Sequence, residues 1–174
     1  MSQALAGVLC LLLISGCVDE QKTKVAGPDV RAVIDPWLLC QECTDGELDS
    51  LTALGKLVPE TVESLSTDLL AGPAPTRLAN IKQQLEESFS EDTAYENSNG
   101  GTPTMSSADY VQLYAGNYVA VYRARAAVGL AGIGGGRAGA ALDSAIAGQV
   151  RPPSEPLRPD VQRAAEAAKD TLYQ

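Results

Sequence analysis

The sequence predicts an all-α fold, organised as a short α–α solenoid or helical bundle. Between its glycines and prolines, apolar residues recur every three or four positions, the period of one face of a helix. One of these segments opens with a helix-start signal, and two of them share a pattern of apolar residues and turns. We find no strand pattern beside these helices.

The composition limits the classes of function. The chain has 174 residues, of which 45% are hydrophobic, so it suits one domain with a packed core. Its formal net charge of −9 argues against binding to nucleic acid, because phosphates require a basic surface. It contains no histidine, which removes Ser–His and Cys–His nucleophile pairs and the commonest transition-metal ligand. We therefore expect a protein that is not an enzyme and has no cofactor or metal site.

The first element is an apolar segment that ends in a cysteine. Residues 6–14 form an apolar run that is too short for a permanent transmembrane helix. The sequence LISGC, which ends at Cys17, resembles the lipobox of bacterial lipoproteins. The resemblance implies that residues 1–16 are a cleaved signal peptide. It also implies that Cys17 carries acyl chains, palmitate among them, which anchor the protein to membrane lipid.

The residues after the cysteine predict a cellular location and a flexible tether. Val18 stands where the inner-membrane retention signal of enteric bacteria has aspartate, which favours an outer-membrane location facing the periplasm. Residues 17–27 are polar after the lipidated Cys17 and lack apolar periodicity, so they predict a tether. The helical domain is expected to span residues 28–174.

The domain begins with a short helix and a helical hairpin. Residues 28–39 predict a first helix that Pro36 interrupts. The next helix starts at Thr44, because Thr44 and Glu47 have the spacing of a capping box. Its apolar face comprises Leu48, Leu51, Leu54, Leu57 and Val58. Pro59 suits the first turn of a second helix, which carries an apolar stripe of its own and ends at Gly72.

The same pattern returns later in the chain. Residues 125–133 align with residues 49–57, and three pairs of apolar positions coincide: Leu51 with Ala127, Leu54 with Leu130, and Leu57 with Ile133. Beyond the turn, Val62 aligns with Ala138 and Gly72 with Gly148. Residues 163–169 are a partial third copy. Repetition at about forty residues, with two helices per unit, is typical of a stacked helical solenoid.

One segment supports a family resemblance. Residues 122–146 are similar to the HEAT-like repeat (the PBS-lyase/HEAT type), whose first helix reads roughly R-A-A-x-A-L-G-x-I-G. The matching positions are Arg125, Ala126, Ala127, Leu130, Ile133 and Gly134, whereas Gly129 and Ala131 exchange the family's alanine and glycine. The resemblance covers residues 45–72 and 118–174. It implies a right-handed α-solenoid that contacts other proteins, and it implies no catalytic residues.

A glycine-rich stretch allows a competing interpretation. Gly134, Gly136 and Gly139 match the G-x-G-x-x-G spacing of dinucleotide-binding loops. Such a loop follows a strand, whereas residues 106–133 are a long alanine-containing run with the length of a helix. We therefore predict that the glycines form a turn between two helices.

The remaining candidate residues are two cysteines and four tyrosines. Cys40 and Cys43 lie just before the capped helix, where a disulfide would fix the helix entry. The alternatives are a redox-active pair, a metal ligand pair or an intermolecular bond. Four tyrosines recur every four residues and predict either helix packing or a partner-contact surface: Tyr110, Tyr114, Tyr118 and Tyr122.

Residues 91–107 are polar, contain Asn-Gly-Gly and lack periodicity, so they predict a flexible insertion. Taken together, the patterns favour a lipid-anchored envelope protein that binds another envelope protein through helical hairpins. The alternative is a periplasmic thiol–disulfide or electron-transfer accessory protein that uses Cys40 and Cys43.

Overall fold

The computed structural model describes residues 29–40, 42–151 and 156–172. The predicted signal peptide, Cys17 and the tether lie outside these residues. The described part of the chain folds into helices without strands: α1 (Arg31–Leu39), α2 (Asp45–Leu57), α3 (Pro59–Ala71), α4 (Pro75–Ser98), α5 (Ser107–Ile133), α6 (Gly135–Ile146) and α7 (Pro159–Thr171). The prediction of an all-α fold is confirmed. No helix among the described residues is both long and apolar enough to cross a membrane.

Local signals explain where the helices begin. Thr44 and Glu47 form the predicted capping box at the start of α2. The Ser106 hydroxyl caps α5 by accepting a hydrogen bond from the backbone N–H of Asp109 at 3.2 Å. Prolines occupy the first position of three further helices, where a missing N–H costs no hydrogen bond: α3, α4 and α7.

Glycines end α3 and α5. Gly72 and Gly134 have φ values of +79° and +77°, in the left-handed region that favours glycine, and each donates its backbone N–H to a carbonyl of the last helical turn. Gly134 therefore forms the turn between α5 and α6. The prediction of a turn is confirmed for Gly134 and is wrong for Gly136 and Gly139, which lie within α6.

The long helix α5 lies at the centre of the fold and contacts all six other described helices. The hairpin of α2 and α3 packs against the hairpin of α5 and α6, through contacts of α2 with α5 and of α3 with both α5 and α6. The core is aliphatic and includes Leu51, Leu65, Leu69, Leu130, Leu142 and Val161, each at most 1% exposed. Helix α4, in contrast, packs mainly against α5 and has no buried residue.

Three predictions about single elements were wrong. Pro36 does not interrupt α1, because the buried residues Trp37 and Leu38 hold the turn that follows it against the core. Leu57 does not complete the apolar face of α2, since it is 81% exposed at the turn into α3. Residues 91–98 are not part of an irregular insertion, because α4 continues to Ser98 and only residues 99–106 connect it to α5.

Candidate functional site

The predicted tyrosine stripe divides into an exposed part and a buried part. Tyr114 is 45% exposed, whereas Tyr122 is 2% exposed. Each step of four residues turns the side chain about 40° around a helix of 3.6 residues per turn, so the stripe rotates from the surface into the core. The rings of Tyr110 and Tyr114 lie 4.4 Å apart, and that of Tyr110 lies 5.3 Å from Phe89 on α4. Tyr122 is thus excluded from the predicted partner-contact surface.

A polar cluster surrounds the buried end of this stripe. The Tyr122 hydroxyl donates to Asp68 Oδ1 at 2.8 Å, and Arg31 Nη1 donates to Asp68 Oδ2 at 2.7 Å. Arg31 also donates to Asp35, and Arg77 Nη2 donates to the second oxygen of Asp35 at 2.8 Å. The cluster therefore ties α1, α3, α4 and α5 together.

Burial controls the protonation of this cluster. It raises the pKa of Asp68, and the donors on Arg31 and Tyr122 offset only part of that effect. Burial and then the nearby Asp68 charge raise the pKa of the Tyr122 hydroxyl, which therefore remains a hydrogen-bond donor. With its carboxylate and hydroxyl engaged in hydrogen bonds between helices, the cluster stabilises the bundle. Sequence analysis missed it, although Asp68 stands beside Leu69 in the apolar stripe of α3, where a charged residue signals a buried partner.

The opposite side of α5 carries an exposed apolar seam, which we call the α5 seam and define as Tyr114, Asn117, Val121, Ala124 and Val128. These residues follow the alternating three- and four-residue spacing of a coiled-coil face. Its large members Tyr114, Val121 and Val128 are 45%, 49% and 39% exposed. No seam position is charged.

A second feature is a groove of about 830 Å³ between α4, α5 and the start of α7. The α4 wall includes Pro75 and, at a spacing of four residues on one face, Leu78, Lys82 and Glu86. The α5 wall extends over residues 107–123. The remaining wall includes Pro156, Arg158 and Val161. Sequence analysis did not identify this groove, because it depends on the packing of elements distant in the chain.

The predicted cysteine pair lies at the loop between α1 and α2. Cys40 and Cys43 are within disulfide-bonding distance, with their Cα atoms 5.2 Å apart. Cys40 is half-buried and Cys43 is exposed, directly before the capped residue Thr44. This arrangement agrees with a local disulfide at the entry to α2. Among the described residues, no three His, Cys, Asp or Glu side chains are grouped so that they could hold a metal ion.

Comparison of the chain with protein-family models, with curated proteins and with solved structures found no match.

Proposed function

We propose that this protein is a lipid-anchored scaffold of the bacterial cell envelope that binds a partner protein through the α5 seam. The observation that carries the proposal is the exposure of Tyr114, Val121 and Val128 along one face of the central helix. Exposed apolar residues are ordinary when scattered, whereas apolar residues repeated along one face of a helix give a partner helix a line of contacts. The proposed HEAT-like architecture and lipid anchor rest on the sequence of residues 122–146 and of the segment ending at Cys17.

The spacing of the α5 seam favours a helical partner. Its five positions recur every three or four residues from Tyr114 to Val128, which is about 21 Å of helix at 1.5 Å per residue. A second helix with an apolar face can pack along such a row at an angle near 20°. Asn117 interrupts the row with a polar group, whose Oδ1 accepts a hydrogen bond from Arg158 Nη1 at 2.9 Å.

Site-specific photocrosslinking in native membranes tests the proposal. A photoreactive phenylalanine derivative replaces Val121 on the α5 seam or, as the control, Arg163, which is exposed on α7. We expect a discrete protein adduct from position 121 and none from position 163. The added variant Val121→Glu should abolish co-isolation of that partner, because a charge cannot be buried in an apolar contact without a counterion.

Two results would contradict this function. Equal adducts from positions 121 and 163 would show contact without a specific surface. Co-isolation of the partner that survives Val121→Glu would place the binding surface elsewhere. The anchor is tested separately with Cys17→Ser, which should move the protein from the membrane fraction to the soluble fraction and remove the acyl mass from the intact protein.

A further inference from the structure

We propose that the groove between α4, α5 and the start of α7 binds a single-chain anionic amphiphile, of the class of long-chain carboxylates. This inference is independent of the α5 seam, because the groove is on the opposite side of α5. Residues 111 and 119 line the groove, whereas residue 121, about 200° around the helix from residue 119, belongs to the seam.

The shape of the groove suits a linear molecule. Its α5 wall runs from Ser107 to Arg123, which corresponds to about 24 Å of helix. The groove is therefore long enough for an extended acyl chain.

The lining of the groove suits an apolar chain. Leu78 of α4, Val111 and Val119 of α5, and Val161 of α7 face the cavity from three sides. Gly116 leaves the middle of the α5 wall open, since a Cβ added there would meet nothing closer than Arg158 Nη1 at 3.9 Å. Binding sites of this volume are ordinarily apolar with a few polar groups that fix the orientation of the ligand.

The lining supplies a cation for the headgroup. Among the described residues that line the groove, the charged side chains are Lys82, Glu86, Arg123 and Arg158. Arg158 also pairs with Asp160, at 2.7 Å, and donates to Asn117. Lys82 is exposed on the α4 wall and is the side chain that we assign to the carboxylate headgroup.

The test uses the full chain in membranes and photoreactive analogues of palmitate. The three probes carry the same diazirine chain and differ in the headgroup: a free carboxylate, its methyl ester and the corresponding primary amine. After irradiation, labelled peptides are identified by mass spectrometry. We expect the carboxylate probe to label residues 75–86 and 107–123 at least tenfold more than the amine probe does, and excess palmitate to displace it.

Variants locate the site. Val119→Trp fills the groove and should reduce labelling of these peptides at least tenfold, whereas the matched control Val121→Trp, on the α5 seam, should leave it unchanged. Gly116→Leu is a second blocking variant and should act in the same way as Val119→Trp. Circular dichroism establishes that each variant is folded. Lys82→Glu should reverse the preference between the carboxylate and amine probes, and Lys56→Glu, on exposed α2 surface, should not.

Several outcomes would overturn the proposal. Labelling confined to peptides outside the groove would place the amphiphile elsewhere. Equal labelling by all three probes would show that the ligand is not selected for a negative charge. Equal loss of labelling in Val119→Trp and Val121→Trp would show that the groove is not the binding site. A protein that crosslinks to the groove and is not displaced by palmitate would identify a peptide occupant instead. None of these outcomes bears on the α5 seam, whose partner is detected at position 121.

Discussion

The contact between α2 and α5 predicts that the effect of Gly55→Ala on stability depends on the side chain of Ile133. The substitution should destabilise the wild-type protein and stabilise a variant in which Ile133 is replaced by alanine. Gly55 is buried in α2, and a Cβ added there would lie 2.9 Å from Ile133 Cγ2 and closer still to Cγ1 and Cδ1. Cγ2 is fixed by the first side-chain torsion of isoleucine, so rotation of the chain end cannot relieve the overlap. Gly55→Ala therefore forces the last turn of α5 away from α2.

The magnitude follows from two opposing terms. Replacing glycine by alanine in a helix increases the free energy of unfolding by about 1 kcal/mol. Inserting a methyl group into a packed core decreases it by about 1–3 kcal/mol. We expect Gly55→Ala to destabilise the protein by about 0–2 kcal/mol. Ile133→Ala should itself lower the free energy of unfolding by about 2–5 kcal/mol. In that background the overlap is absent, so adding Gly55→Ala should raise the free energy of unfolding by about 1 kcal/mol.

Urea unfolding measures this double-mutant cycle. Circular dichroism follows the helices, and the single tryptophan Trp37, whose indole donates to the Arg125 carbonyl at 2.8 Å, reports contact between α1 and α5. Gly139→Ala in α6 is the control, because a Cβ there meets no atom within 4 Å. It should stabilise by about 1 kcal/mol in both backgrounds. An equal effect of Gly55→Ala in the two backgrounds would refute the proposed overlap of α2 with α5.

Three further predictions concern stability. Tyr122→Phe removes the hydroxyl that donates to Asp68 and should lower the free energy of unfolding by about 1.5–3 kcal/mol in urea unfolding, and no loss would show that the hydrogen bond is unimportant. Replacing Cys40 and Cys43 by serine opens a loop of four residues and should cost about 2 kcal/mol, the same loss as reductant produces in the wild type. The hydrogen bonds of the capping box lower the pKa of Glu47 below 4.5, so its stabilising contribution is present above pH 4.5 and is lost as the pH falls through the folded pKa. The stability difference between wild type and Glu47→Gln should therefore vanish in acid, and a difference that persists there would contradict this assignment.

The helix starts could be predicted because their signals are local. The capping box at Thr44 and the proline at position 59 act within one turn of the helix that they begin. The end of α4 depends instead on a distant contact. Residues 91–98 are too polar for an apolar period, but they contain no glycine or proline, and Phe89 packs on Tyr110 to hold the helix against α5. The first residue after Phe89 that disfavours a helix is Gly100, which has a φ of +77°.

The polar cluster could not be predicted from the sequence, because it forms between residues on different helices. Its central hydrogen bonds join Arg31, Asp68 and Tyr122, which are far apart in the chain. No spacing within one helix reveals such a group, so sequence analysis could suggest that Tyr122 has a partner but could not identify it. The regular tyrosine spacing also could not distinguish surface from core, because the orientation depends on which helices surround α5.

The composition of α5 connects its central position with its proposed binding surfaces. The helix has three charged residues among 27, namely Asp109, Arg123 and Arg125, whereas α4 has seven among 24. A helix that is largely uncharged on all sides is expected to be buried on all sides. Six helices cover α5 from several directions, yet the α5 seam remains exposed and a groove remains open along α4. A partner helix on the seam and an acyl chain in the groove would together extend the burial that its sequence predicts.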